Sequence, residues 1–384
     1  MPGKRFGWPQ VYALLLLWAF VLQALWIIHH TPLRWAEVAY AQAGLDQLAG
    51  KVLPRDTGAQ PVPAVVAAAP IVVANRMVAS LSPDGLKWLL RLPFVAIGWL
   101  LGASIWYVAR RLYGNAGGYI ALALYCFSPA VFFPWPGPLL TGSLGIFGTI
   151  FVAIAASHTL YAPAGAAISE LRSRWRRIIL LGLAITLAAG SGWWAIMLVP
   201  LGLGFMLYLV PERRLASVAL VLSSCAVALV LLLGCYGFRP RALAAAITRS
   251  DFLPLLRAMV AGEMLRAYVT GIRHAQNPVL LVLAAIALAA YFAWSRCRYF
   301  GNTAPLLSLL VLAALGLAAF LDFLVGPFPF RATSFLYVFV GGVFADLLES
   351  RWRKACGILF LGLLVAYAVV SVMAVARLRL SGLP

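Results

Sequence analysis

Charge is what this chain has least of. Asp, Glu, Lys and Arg together make up 11% of its 384 residues, where a soluble domain carries about a quarter. Acid is scarcer still, with 11 Asp and Glu against 30 Lys and Arg. An ordinary soluble fold is excluded on that ground alone. Cysteine is sparse as well: Cys126, Cys225, Cys235, Cys297 and Cys356 fall in or beside apolar runs, and no two form a Cys-x-x-Cys pair. That excludes a disulfide framework and a thiolate metal site, and it leaves five packing residues. A P-loop, a dinucleotide fingerprint, a nucleophile elbow and a zincin helix are all missing, so soluble nucleotide-sugar chemistry on the cytoplasmic side has no support.

What is abundant is apolar sequence. Hydrophobic residues make up 64% of the chain and the mean hydropathy is +0.95. Runs such as Val11 to Ile28, Ile178 to Leu209 and Leu215 to Leu233 reach or exceed the roughly 20 residues a spanning helix needs. They are too continuous for the alternating strands of a membrane barrel. The expectation is an all-α, polytopic membrane helical bundle of about 11 transmembrane helices. These lie near 11–29, 89–109, 117–133, 139–160, 178–190, 193–210, 215–235, 277–294, 304–323, 332–347 and 356–376. The fifth and sixth meet at Gly190-Ser191-Gly192, which leaves open whether they are separate helices. Lys4-Arg5 before the first run reads as the start of a retained anchor.

The formal charge of +19 invites a nucleic-acid reading, but the basic residues sit in short clusters between spans, with no interleaved aromatics and no finger spacing. No nucleic acid is expected as a partner. The clusters instead orient the chain: Lys4-Arg5, Arg110-Arg111, Arg172 to Arg177, Arg213-Arg214, Arg296/Arg298 and Arg351/Arg353/Lys354 all face the cytoplasm if the N-terminus does. The expected location is the plasma (inner) membrane, multi-pass, with a cytoplasmic N-terminus and membrane lipid as a partner. The chain then divides into three segments: an N-terminal transmembrane module over 1–235 that includes a first outer loop at 31–88, a second outer loop at 236–276, and a C-terminal transmembrane module over 277–384.

Both outer loops carry interfacial helices in this reading. In the first, Trp35 to Leu48 lies along the interface, and Pro54, Pro61, Pro63 and Pro70 break the remainder of the loop into short pieces. In the second, Arg257, Glu263, Arg266 and Arg273 interleave with Leu255, Leu256, Met259, Met264 and Leu265, an amphipathic pattern suited to a membrane surface.

The chemistry-bearing stretch is His29 to Tyr40, directly after the first span. Glu37 stands between Trp35 and Tyr40, where a carboxylate is partly withdrawn from water, the condition under which carboxylates serve as general bases. The alternative is an interfacial Glu paired with Arg34, Arg331 or Arg76. Arg331 opens the tenth span with its charge near the apolar zone, where a fork of donors suits a phosphate and the alternative is snorkelling to headgroups. Adjacent on a helix, His29 and His30 point about 100° apart and do not chelate one ion, so the sequence assigns no metal ligands. His30 could still assist Glu37.

Arg91 to Gly98, Tyr107 to Gly114, and Gly118 through Ser128-Pro129 resemble the core of the polytopic GT-C glycosyltransferases, in the branch of the protein mannosyltransferases, aminoarabinose transferases and RgtA/B/C/D-like proteins. Ala36-Glu37-Val38-Ala39-Tyr40 is similar to that family's first-loop Asp-Glu-Ala-x-Tyr, and Pro327 to Arg331 resembles its late outer segment ending in an arginine. The resemblance implies a sugar moved from a polyprenyl-phosphate donor to an acceptor hydroxyl of a glycan, lipid or protein on the non-cytoplasmic face. Glu37 would be the base. Arg331, with Arg34 and Arg76, would hold the departing phosphate, and Tyr40 and His30 would line the substrate. No cofactor is specified, and a divalent metal is left open.

Ala36 stands where relatives carry Asp, Gly137 where many carry Pro-Asp, and the Gly190 to Trp193 turn lacks a lysine often found there. Polar groups lost from a persisting scaffold imply the other reading, a catalytically silent GT-C-like membrane subunit or lipid-binding scaffold. A transporter is disfavoured, because the two halves show no matched pair of interrupted helices.

Overall fold

The computed structural model describes residues 8–49, 60–77, 82–128, 137–160, 167–248, 278–293, 333–350 and 353–380. Among the described residues the fold is all-α, 94% helix with no strand. In chain order the helices are α1 (Trp8–His30), α2 (Trp35–Leu48), α3 (Pro61–Met77), α4 (Pro83–Cys126), α5 (Gly137–Leu160) and α6 (Ala167–Ser191). Then come α7 (Leu198–Leu209), α8 (Arg214–Cys235), α9 (Pro240–Thr248), α10 (Pro278–Ala293), α11 (Thr333–Glu349) and α12 (Arg353–Leu380). Five of them contain stretches long and apolar enough to cross a membrane: Trp8–His30, Asp84–Cys126, Leu139–Leu160, Pro211–Cys235 and Arg353–Met373. The expected span at 304–323, the amphipathic segment Leu255 to Arg273, the turn at Pro134 to Pro136 and the segment Pro327 to Arg331 lie outside the described residues.

α4 is broken at Tyr113 (φ −128°, ψ 17°) and Gly114 (φ 75°, ψ −173°). Positive φ there is open to glycine and strained for any other residue, so Gly114 ends one straight helix and begins the next. The break comes just after Arg110-Arg111, where the hydropathy also divides. At the other doubtful joint, α6 ends at Ser191, and a 3-10 turn over Trp193–Met197 separates it from α7.

One expectation about the first outer loop is overturned. Pro61, Pro63 and Pro70 do not cut it into pieces; all three lie within α3, a single 17-residue helix. The first two occupy the opening turn, where the missing N–H has no intrahelical partner to lose. Pro70 is the interior one, and burial of Val62, Ala64, Ala67, Ala68 and Ile71 along the helix compensates.

Packing divides the chain into two interleaved units, which cut across the segments 1–235, 236–276 and 277–384. One comprises Met1–Thr31, Gly98–Pro136 and Gly262–Pro384; the other comprises Pro32–Ile97 and Gly137–Ala261. In the first unit α1 buries Ala13, Leu17, Phe20, Ala24, Ile27 and Ile28, a helical stripe that meets two small residues of α4. A Cβ on Gly98 would lie 2.6 Å from the Phe20 ring tip, and one on Gly102 would lie 2.8 Å from the Tyr125 ring. Glycine is what lets the helices approach this closely. Neutral hydrogen bonds complete the unit. The Tyr125 hydroxyl donates to the Gly98 carbonyl (2.7 Å), Tyr337 to Ser128 Oγ (2.8 Å) and Tyr367 to the Leu124 carbonyl (2.9 Å), the last giving one carbonyl of the final turn of α4 a partner.

In the second unit, α5, α6, α7 and α8 share a core built on Ala153, Ala156, Leu181, Met206 and Leu220. Beside it Val62 of α3, Trp193, Leu232, Tyr236 and Leu243 of α9 form a smaller cluster. Ser191 Oγ donates to Thr141 Oγ1 at 2.9 Å, joining α6 to α5. Gly44 of α2 lies directly against the Ala64 backbone of α3, where no side chain fits.

Candidate functional site

The site lies in the second unit, where α2 begins. Its N-cap is Arg34, in extended conformation (φ −94°, ψ 146°), and the Arg34 carbonyl accepts the Glu37 N–H at 3.1 Å. Glu37 therefore sits in the first turn, where the positive end of the helix dipole favours a carboxylate. Its side chain turns inward to Arg91, two turns into α4. Arg91 Nε donates to Glu37 Oε2 at 2.7 Å and Nη2 to Oε1 at 2.8 Å, a two-pronged pair. Nη2 also donates to the Pro32 carbonyl at 2.7 Å, so one guanidinium gathers both the chain entering α2 and its first turn.

Burial makes this pair unusual. The Arg91 side chain is 1% exposed and that of Glu37 12%. A guanidinium taken out of water on an apolar helix is costly unless its partner is well aligned, and here it is. One turn earlier on the same face of α4, Lys87 is also buried, with its ammonium 3.3 Å from the exposed Asp84 carboxylate.

Two further bonds fix α2. The Tyr40 hydroxyl donates to Gln60 Oε1 (2.8 Å) just ahead of α3, and Gln47 Nε2 donates to the carbonyl of Cys235, the last residue of α8 (2.7 Å).

No family model, curated protein or solved structure matches this chain. The residues therefore have to speak for themselves. The structure brings together Glu37 and Tyr40 with Pro32, Gln60 and Arg91. Arg34 contributes its backbone and leaves its side chain exposed. Arg76 falls in the last turn of α3, with its side chain outside the described residues, as is all of Arg331. His30 belongs to the other unit. It is exposed, donates Nδ1–H to the Trp26 carbonyl (2.8 Å) and stacks on the Trp26 ring at 4.5 Å. Glu37 is held by Arg91, which is not among the three arginines weighed as its partners on sequence.

Arg91 is the residue that sequence reasoning missed, although it opens the Arg91 to Gly98 motif. Its signal was a lone charge within the apolar run from Trp88 to Leu101, which by itself marks a functional position in a membrane segment. Among the described residues no three His, Cys, Asp or Glu side chains group as a metal site would need. Glu37 offers a single carboxylate whose two oxygens face a guanidinium, a poor setting for a second cation.

Proposed function

We propose that this protein is a membrane glycosyltransferase of GT-C type, moving a sugar from a polyprenyl-phosphate donor to an acceptor hydroxyl on the non-cytoplasmic face of the inner membrane. The observation that carries the reading is the buried Glu37–Arg91 pair, set in the first turn of α2 and two turns into α4. Ionisable groups are expelled from such places unless they serve a purpose. In this reading Glu37 takes the acceptor proton as the anomeric carbon is attacked, and Arg91 fixes the carboxylate's direction. Each Glu37 oxygen accepts one N–H from Arg91 and retains a second lone-pair position for a substrate hydroxyl. Arg331, Arg34 and Arg76 are the cations proposed for the departing phosphate.

The proposed topology is that of about 11 spans. The candidate span Asp84–Cys126 within α4, at 43 residues, has a helical contour of roughly 64 Å, twice the hydrocarbon thickness of about 30 Å. Its break at Gly114 divides it into two crossings, and the shorter apolar helices at Leu198–Leu209 and Val282–Ala293 supply others.

A specific observation favours a second reading, the silent subunit or lipid-binding scaffold. The guanidinium that holds Glu37 also ties Pro32, so the pair serves as a clamp for the start of α2, and Ala36 supplies no second acid. Turnover separates the two. Purified protein in bilayers, offered a panel of polyprenyl-phosphate sugars, transfers at least one of them if it is an enzyme, and Glu37→Gln lowers the rate by about 10²–10⁴ without loss of folded protein. Full activity in that variant removes Glu37 as the base. Wild-type protein inert toward every donor, yet able to bind the lipid phosphate, is the scaffold.

A further inference from the structure

Within the second unit α2 has a definite direction. Its third residue, Glu37, is bonded to Arg91 near the start of α4, and its thirteenth, Gln47, to the terminal carbonyl of α8. Ten residues of helix separate those ties, about 15 Å, whereas α8 from end to end is about 33 Å. α2 therefore crosses from the start of α4 to the end of α8.

At each end of this crossing helix an exposed aromatic stands beside arginine. Trp35 is 84% exposed and comes directly after the exposed Arg34. At the other end the chain leaves α8 through Gly237 and Phe238, both at positive φ (59° and 58°), and continues into exposed Arg239 and Arg241. Left-handed backbone is rare for a bulky residue, and where it persists the surroundings enforce it. The Phe238 N–H donates to the Leu233 carbonyl at 2.8 Å, closing the helix end. That strained turn presents a ring that is 68% exposed. On α12 the outward residues Ile358, Leu359, Leu361, Val365 and Val369 are all aliphatic, whereas α1 exposes Trp8, Tyr12, Trp18 and Trp26 along its length.

We propose that Arg34-Trp35 and Phe238-Arg239, with Arg241, are two lipid-headgroup anchors that hold α2, and with it Glu37, at the level of the bilayer interface. Aromatic rings concentrate at that boundary, and guanidinium groups beside them meet lipid phosphate. The occupant is the bilayer surface, chosen because both rings stand next to positive charge at the ends of apolar helices. The proposal rests on the membrane reading above and not on any transfer activity.

The test is photocrosslinking in nanodiscs of phosphatidylcholine with phosphatidylglycerol. Trp35, Phe238 or Leu222 is replaced, one at a time, by p-benzoylphenylalanine, and lipid adducts are read by mass spectrometry. Leu222 is exposed in the body of α8 and reports an embedded helix. Lipid adducts at all three positions are expected, and Arg239→Gln with Arg241→Gln should lower the preference of position 238 for phosphatidylglycerol by about fivefold per arginine. Adducts at 222 with none at 35 and 238 overturn the anchors and leave the membrane reading standing. No adduct at 222 overturns that reading, and the anchors fall with it.

Discussion

The two units solve the same packing problem with different chemistry. At Tyr125, Tyr337 and Tyr367 of the first unit, each hydroxyl meets a neutral carbonyl or hydroxyl. In the second, the start of α2 is held by a fully charged, nearly dry Arg91–Glu37 pair. Neutral hydrogen bonds join helices at these three contacts of the first unit. An ion pair is a costly substitute, often no more stabilising than apolar residues of the same size. On the proposed reading, the charge in the second unit answers a need other than cohesion.

That contrast can be broken. Arg91→Ala leaves the Glu37 carboxylate buried without its partner and should lower stability by about 3–5 kcal/mol, read as thermal unfolding in detergent. A loss under about 1 kcal/mol would mean that water reaches the pair freely and that it differs little from the tyrosine bonds. The double variant Glu37→Leu with Arg91→Leu sharpens the point. On the proposed reading it should regain most of that stability while transferring no sugar. If it is as unstable as Arg91→Ala, the clamp on the Pro32 carbonyl is the pair's main role.

Smaller effects belong to the first unit. Gly98→Ala pushes a methyl against the Phe20 ring and should cost about 1–3 kcal/mol by overpacking, measured the same way. Tyr337→Phe removes one hydroxyl from Ser128 and should cost about 1 kcal/mol, with sugar transfer unchanged. A loss of transfer in Tyr337→Phe would erase the distinction between the units.

Much of this was written locally. Long apolar runs announced α1, α5 and α8, and the position of Glu37 after the first span was enough to single it out. What could not be read was pairing. Arg91 lies 54 positions from Glu37 in sequence, and no helical or strand spacing links the two; only the fold, which brings the start of α2 to the Arg91 side chain, does. The three prolines of α3 misled for a different reason: two sit where a helix has no hydrogen bond to lose, a distinction that composition does not make. Phe238 carried no signal at all, since left-handed backbone at a phenylalanine is imposed by the turn and not by the residue.

The central claim is that the buried carboxylate works as a base, and its most direct measurement is the rate of sugar transfer from polyprenyl-phosphate donors by Glu37→Gln beside the wild type, both in bilayers and both confirmed folded. The account predicts turnover by the wild type and a fall of about 10²–10⁴ in the variant. Equal rates, or a wild type that turns over no donor, would contradict it.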